Sequence, residues 1–236
     1  LDVEPDRSAE RTHNMPTVLY ADDSIVVIDK PAGMLSVPGK DENRLSAEQF
    51  VRQQFNIPTE VTAVVHRLDM DTSGLLVFAR TQAAQRALQT QFLGRTVKKR
   101  YEALLSGVVQ QHGAAVDWQK QCISLPLRPD PYNRPLQVVD PINGKTAVSH
   151  FALGHIENGQ QHISLWPLTG RTHQLRVHCA HPDGLGCPIA GDPLYGRGIA
   201  PTPSKRLCLH AAQLCFTHPV SGKPMTFNSV VPFYFL

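Results

Sequence analysis

The 236 residues predict an α+β fold: a mixed, mainly antiparallel β-sheet with flanking helices and long loops. Strand-like and helix-like stretches are interleaved, yet hairpin connections outnumber crossover units. Gly and Pro contribute 16 and 19 residues, so turns are frequent. Apolar residues make up 42% of the chain, enough to bury a sizeable core. No run of about 18 apolar residues is present, so no membrane-spanning helix is expected. The first fifteen residues are polar and acidic, unlike a secretory signal.

Residues 1–16 are expected to form a flexible arm ahead of one catalytic-size domain over 17–236. "TVLYADDSIVVIDKPAG" reads as two strands around an Asp-Asp-Ser turn, closing at a Pro-Ala-Gly corner. "SAEQFVRQQF" reads as a helix. Ser46 and Gln49 have capping-box spacing, and Ala47, Phe50, Val51 and Gln54 share a face. "AVVHR" and "LLVFAR" read as strands flanking a charged turn. "TQAAQRALQTQFLG" is helical, with Ala84, Leu88 and Phe92 in register and Gly94 as the stop. "RYEALLSGVV" alternates as a strand, and residues 110–145 read largely as loop. "AVSHFALGHI" and "QHISLWPL" pair around Glu157-Asn158-Gly159-Gln160. "TGRTHQLRVHCAH" predicts a helix from near Thr172. "LCFTHPVSGKPMTF" predicts a hairpin around Ser221-Gly222.

Net charge is only +3, but its distribution is uneven. Residues 67–101 hold seven Lys/Arg against Asp69 and Asp71, while residues 1–23 hold six acids against Arg7 and Arg11. A local basic field suits a phosphate-bearing partner, although "VKKR" alone is equally a solvated surface. The five cysteines are odd in number and lack paired spacing, which predicts reduced thiols in a cytoplasmic protein. The chain begins at Leu1 rather than Met, as a processed chain or a piece of a longer protein does.

Several chemistries lack their motifs. There is no G-x-x-x-x-G-K-S/T, no G-x-G-x-x-G, no G-x-S-x-G and no His-Glu-x-x-His. The runs holding Cys208, His210, Cys215 and His218, and His178, Cys179, His181 and Cys187, do not match structural zinc spacing. No cofactor and no metal are expected.

The chemistry-bearing stretch is "HRLDMDTSGLLVFAR", residues 66–80. Asp69 sits in a predicted turn beside Arg67 and ahead of Thr72-Ser73-Gly74. A carboxylate partly buried beside a cation stays ionised while its pocket sheds water. An Asx-turn, with Asp69 or Asp71 bonding backbone N–H groups, is the plainer use of the same residues. In "LTGRTHQLRVH", Arg171 is expected to project from a helix mouth and grip a carboxylate with two bonds. An exposed amphipathic helix carrying Arg171, His173 and Arg176 is the alternative. Tyr101, after Lys98-Lys99-Arg100, suits a stacking platform for a base, or a half-buried strand position.

"HRLDMDTSGLLVFART" resembles the catalytic motif of the RluA family of RNA pseudouridine synthases. "DKPAGMLSVPG", "KKRY", "LTGRTHQLRVH" and "GDPLYG … LCLHAAQLCFTHPVSGKPMTF" follow the family's order, and the likeness covers roughly residues 17–233. "LPLRPDPYNRPLQVV … GKTAVSHF" resembles the branch that modifies 23S rRNA stem-loops and position 32 of tRNA anticodon loops. "CAHPDGLGCPIAGD" is longer than in short members and resembles a longer, multi-domain subgroup. The resemblance implies the pseudouridine synthase fold and a cofactor-free isomerisation of uridine in RNA. Asp69 is then the nucleophile, Arg171 its paired arginine, and Tyr101 the residue stacking on uracil. Leu175 packs on the other side of the base, and Arg67 fills the space the flipped base leaves. His66, Lys98, Lys99 and Arg100 are implied as further RNA contacts. The expected partner is RNA alone, with no membrane, no obligate protein partner and a monomeric chain. A non-catalytic RNA-binding module of the same fold is the alternative.

Overall fold

The computed structural model describes residues 15–41, 44–111, 113–196 and 206–233. The arm expected over residues 1–16 lies outside this range except for Met15 and Pro16. Strands β1 (Thr17–Ala21) and β2 (Ile25–Lys30) pair antiparallel across a turn built on Asp22, whose Oδ1 accepts from Ser24 N and Ile25 N at 2.8 and 2.9 Å. Helix α1 (Ala47–Phe55) begins with the expected capping box: Ser46 N donates to Gln49 Oε1 and Gln49 N to Ser46 Oγ. Strand β3 (Ser73–Ala79) leads to helix α2 (Gln82–Leu93), whose Ala84 and Leu88 are buried, and then to β4 (Lys98–Leu105). Four short strands follow: β5 (Val116–Asp117), β6 (Cys122–Ser124), β7 (Leu127–Pro129) and β8 (Gln137–Val139). The hairpin β9 (Val148–Glu157) and β10 (Gln160–Pro167), helix α3 (Gln174–Ala180), and the hairpin β11 (Leu209–Thr217) and β12 (Pro224–Asn228) complete the order.

Among the described residues, ten strands join in one sheet, ordered β1-β2-β3-β11-β4-β10-β9-β6-β5, with β12 on the free length of β11. Of these strand pairings only β3–β11 is parallel, so the sheet is mixed and mainly antiparallel, as the sequence predicts. β2 and β3 are buried on both faces: Val26, Ile28, Leu76 and Phe78 join one cluster with α1, and Ile25, Val27, Leu75 and Val77 join another with α2. This two-sided burial explains their continuous apolar sequences. Where β3 meets β11, a Cβ on Gly74 (φ +111°) would lie 2.4 Å from the Ala211 carbonyl oxygen, so only glycine permits the approach.

One expected strand is absent. "AVVHR" is not a strand; it holds one bridge, Val64 to Phe78. Beyond it the ladder partner of Val77 N–H is the His66 ring, at 3.1 Å, because the chain has left the sheet to form a loop. Residues 110–145 are largely loop, as expected, with four short strands, β5 to β8, set among them. Their strands are two or three residues long, below the length at which alternation shows in sequence.

Buried histidines, His66, His178 and His210 among them, give the fold an acid limit. His210, 1% exposed, joins Ser73 Oγ and Ser229 Oγ, and burial pulls its pKa down to about 4. Burial, aided by Lys99, pulls His66 down to about 3. Each binds a proton in the unfolded chain near pH 6.5 but not in the folded one, so stability falls as pH drops from 6.5 toward 4. Urea unfolding at pH 5 is expected to show a loss on the order of 1–2 kcal/mol per histidine relative to pH 7. His210→Gln should flatten that slope.

Candidate active site

The loop between Val65 and β3 is fastened almost residue by residue. His66 accepts from Val77 N and stacks on Phe92 at 4.6 Å between centroids. Ser36 Oγ donates to Leu68 O at 2.7 Å and accepts from Leu68 N at 3.0 Å. Thr72 N donates to Asp69 O, and Gly33 N to Met70 O. Lys30, fully buried, donates to the carbonyls of Pro31, Met34 and Met70 at 2.8–3.0 Å. Burial pushes its pKa down to about 7, against the pull of Asp71 and Asp69. Three carbonyl acceptors match the three N–H bonds of an ammonium, the form this geometry holds. The segment "DKPAGMLSVPG" therefore acts as the seat of the loop, while the side chains of Arg67 and Asp69 face a cleft.

That cleft encloses about 1220 Å³ between the loop, the start of β4, and the segment from β10 into α3. Arg67, Asp69, Tyr101, Arg171, Leu175 and Arg176 all line it. The Asp69 side chain is 27% exposed. Tyr101 lies on β4, opposite Leu165 of β10 and Ala211 of β11, and packs against the two core clusters on either side. Burial, and secondarily the Asp69 charge, push its phenol pKa up, so the hydroxyl stays protonated in the resting site. Leu175 is buried at 7% exposure in the wall.

The arginine beside Asp69 is Arg176, not Arg171. Arg176 Nη1 lies 3.9 Å from Asp69 Oδ2. Its Nε and Nη2 grip both oxygens of Asp192 at 2.8 and 2.6 Å, and its guanidinium carbon sits 5.4 Å from the Tyr195 ring centroid. Burial opposes the charge on Arg176, but Asp192 and then Asp69 outweigh it and raise the pKa. Arg171 instead directs Nε to Thr146 O at 3.0 Å and is exposed. The correction follows from where the helix starts. Gln174 accepts from Thr169 Oγ1 and Arg171 N and donates to Val148 O and Ser149 Oγ. His173 is left-handed at φ 53°, so α3 begins at Gln174 and Arg171 lies in the turn before it. All residues from Gln174 to Cys179 are buried, which takes Arg176 inside.

The remaining expected contacts divide. Lys98 is exposed at the cleft wall, and Lys99 lies beside it with burial lowering its pKa. Arg100 points to the opposite face of β4 and pairs with Glu102 at 2.6 Å, so it is not in the cleft. His66 lines the cleft, but its Nε2 is occupied by Val77 N–H. His173 is an addition: its Nδ1 is hydrogen-bonded at 2.8 Å to Tyr195 Oη, which also accepts from Gln137 N. The sequence signal for Arg176 was the apolar pair around it, Leu175 and Val177, with Gly191-Asp192 downstream to supply a carboxylate.

The family profile described as RNA pseudouridylate synthase matches residues 24–181. The dual-specificity RNA pseudouridine synthase RluA of Haemophilus influenzae is 41% identical over 214 residues, 90% of this chain and 91% of that protein. The Yersinia pestis protein of the same name is 43% identical over 218 residues, 92% of this chain and 99% of that one. The solved structure of human RNA Pseudouridylate Synthase Domain Containing 1 superposes with a TM-score of 0.71 at 27% identity, covering 93% of this chain and 85% of that one. Sheet, cleft and relatives together define an RNA pseudouridine synthase, an isomerase. Within that class the chain belongs to the RluA family.

Proposed function

We propose that Asp69 is the nucleophile of a uridine-to-pseudouridine isomerisation on RNA stem-loops, those of 23S rRNA and the tRNA anticodon arm. The observation that carries this reading is the Asp69 carboxylate in an open cleft, 3.9 Å from a buried arginine and beside Tyr101. The relatives named dual-specificity synthases support more than one RNA as substrate.

The target base leaves its stack and enters between Tyr101 and Leu175. Arg67, exposed at the loop crest, fills the gap in the RNA, offsetting part of the few kcal/mol that unstacking costs. Asp69 either bonds to C1′ as the C1′–N1 bond breaks and is released when C5 attacks C1′, or takes the C2′ proton as that bond breaks, leaving a glycal, and returns it as C5 bonds to C1′. Uracil rotates between the two bond changes, C5 then gives up its proton to solvent, and N1 takes one, so the product is an isomer of the substrate. Tyr101 stacks on the uracil through the rotation and lies beside C5 when its proton leaves. The chemistry calls for no cofactor. Residues 17–236 form the catalytic unit, acting as a monomer in the cytoplasm without an obligate protein partner. The five free cysteines are consistent with a reducing compartment.

The test is tritium release to water from RNA labelled at uracil C5. Release from a 23S fragment and from an anticodon stem-loop supports the reading; release from neither, nor from total cellular RNA, overturns it. Arg171→Ala should leave the single-turnover rate within about threefold and shallow the salt dependence of RNA binding by about one phosphate contact. Loss of the chemical step in that variant would return Arg171 to the reacting centre.

A further inference from the structure

The β9–β10 hairpin turns at Asn158 and Gly159, at φ 50° and 78°, with Glu157 opposite Gln160 and Ile156 opposite Gln161. The register shifts between Gln161 and Ile163, which faces Leu153, so His162 sits at the irregularity across from Gly154 and His155. Alternation puts His155 and Glu157 on one face of β9. The rings of His155 and His162 stack at 3.8 Å between centroids, and each Nε2 lies 3.9 Å from Glu157 Oε2.

One atom from each of these three side chains lies within 4.8 Å of the other two. Zinc bonds of about 2.0–2.2 Å require ligand atoms about 3.3 Å apart in a tetrahedron. Closure turns the His155 ring out of its stack so that both in-plane lone pairs converge, and the movement falls on mobile groups: the side chains of His155 and Glu157 are 67% and 62% exposed, while His162 is held at 10%. A second feature adjoins the triad. His155 and His162 form one wall of a cavity of about 410 Å³, on the far side of β4 from the catalytic cleft. Arg100, Glu102 and Ser164 form another part of its lining. The cavity leaves room for a fourth ligand, water or a small anion facing Arg100.

We infer that His155, Glu157 and His162 form a divalent transition-metal site, separate from the catalytic cleft, with one coordination position open to this cavity. Two imidazoles and a carboxylate select a borderline ion, Zn²⁺ before Mg²⁺ or Ca²⁺. None of the three belongs to the cysteine-containing runs considered from the sequence. An ion there ties β9 to β10 across the hairpin and stabilises the folded chain by mass action.

The test uses chelator-treated full-length protein titrated with Zn²⁺ by calorimetry, and with Co²⁺ by absorption. The expected result is one equivalent bound, with a cobalt spectrum lacking thiolate charge transfer. His155→Ala and His162→Gln should each weaken Zn²⁺ binding on the order of tenfold or more. Both variants should retain wild-type tritium release, which shows that they are folded. No binding by wild type, binding unchanged in both variants, or a thiolate cobalt spectrum would each overturn the site.

Discussion

Asp69→Asn is expected to lower single-turnover tritium release on the order of 10⁴-fold or more, the scale seen when a nucleophile is removed. The fold should survive the change. The bonds that hold the loop use the ring of His66, the backbone of Leu68 and the carbonyls of Asp69 and Met70, not the Asp69 carboxylate. Among the described residues that carboxylate makes one ion pair, with Arg176 at 3.9 Å, and Arg176 keeps its two bonds to Asp192 when the charge is lost. The thermal midpoint and RNA affinity should therefore stay near wild type. A second readout tracks the same site: without the Asp69 charge, the Tyr101 phenol should titrate at lower pH than in the wild type, measured by ultraviolet difference spectra. A variant releasing tritium within tenfold of the wild-type rate would remove Asp69 from the nucleophile role.

The parts of this site that were legible in sequence were those fixed by local chemistry. Asp69 precedes a strand readable from its continuous apolar run, Tyr101 lies in one readable from its alternation, and the capping box at Ser46 and the Ser221-Gly222 hairpin are written in adjacent residues. The partner of Asp69 was not legible in this way. Choosing between Arg171 and Arg176 depends on where α3 begins, and that is set by Gln174 bonding to four groups on β9 and the preceding turn. It depends equally on Asp192, sixteen residues downstream of Arg176 and brought back by the segment through Leu185, Cys187 and Ile189, all buried. Lys30 was missed for the same reason. Its acceptors include Met70, forty residues away, so a lysine before proline reads as surface until the loop is docked over it. Arg100 failed differently, since alternation along β4 alone sends it to the face opposite Tyr101.

Arg176→Met should produce two losses that can be separated. The first is stability. Asp192 would remain fully buried with, among the described residues, only the N–H groups of Leu194 and Tyr195, at 2.8 and 3.1 Å, to hold its charge. Breaking a buried pair from one side costs about 3–5 kcal/mol. The second is catalysis. Arg176 holds a fixed positive charge beside the attacking carboxylate, and loss of such preorganised electrostatics lowers rates on the order of 10²–10³-fold. Arg176→Met/Asp192→Asn tells them apart. Removing both charges leaves no buried ion, so urea unfolding should recover most of the lost stability, while tritium release should stay low because Asp69 still lacks its cation. Recovery of both stability and rate in the double variant would mean that Arg176 serves only to neutralise Asp192. Arg176→Lys adds a graded check. It keeps a charge near Asp69 but loses the two-point grip on Asp192, so kcat should fall less than in Arg176→Met while stability still drops.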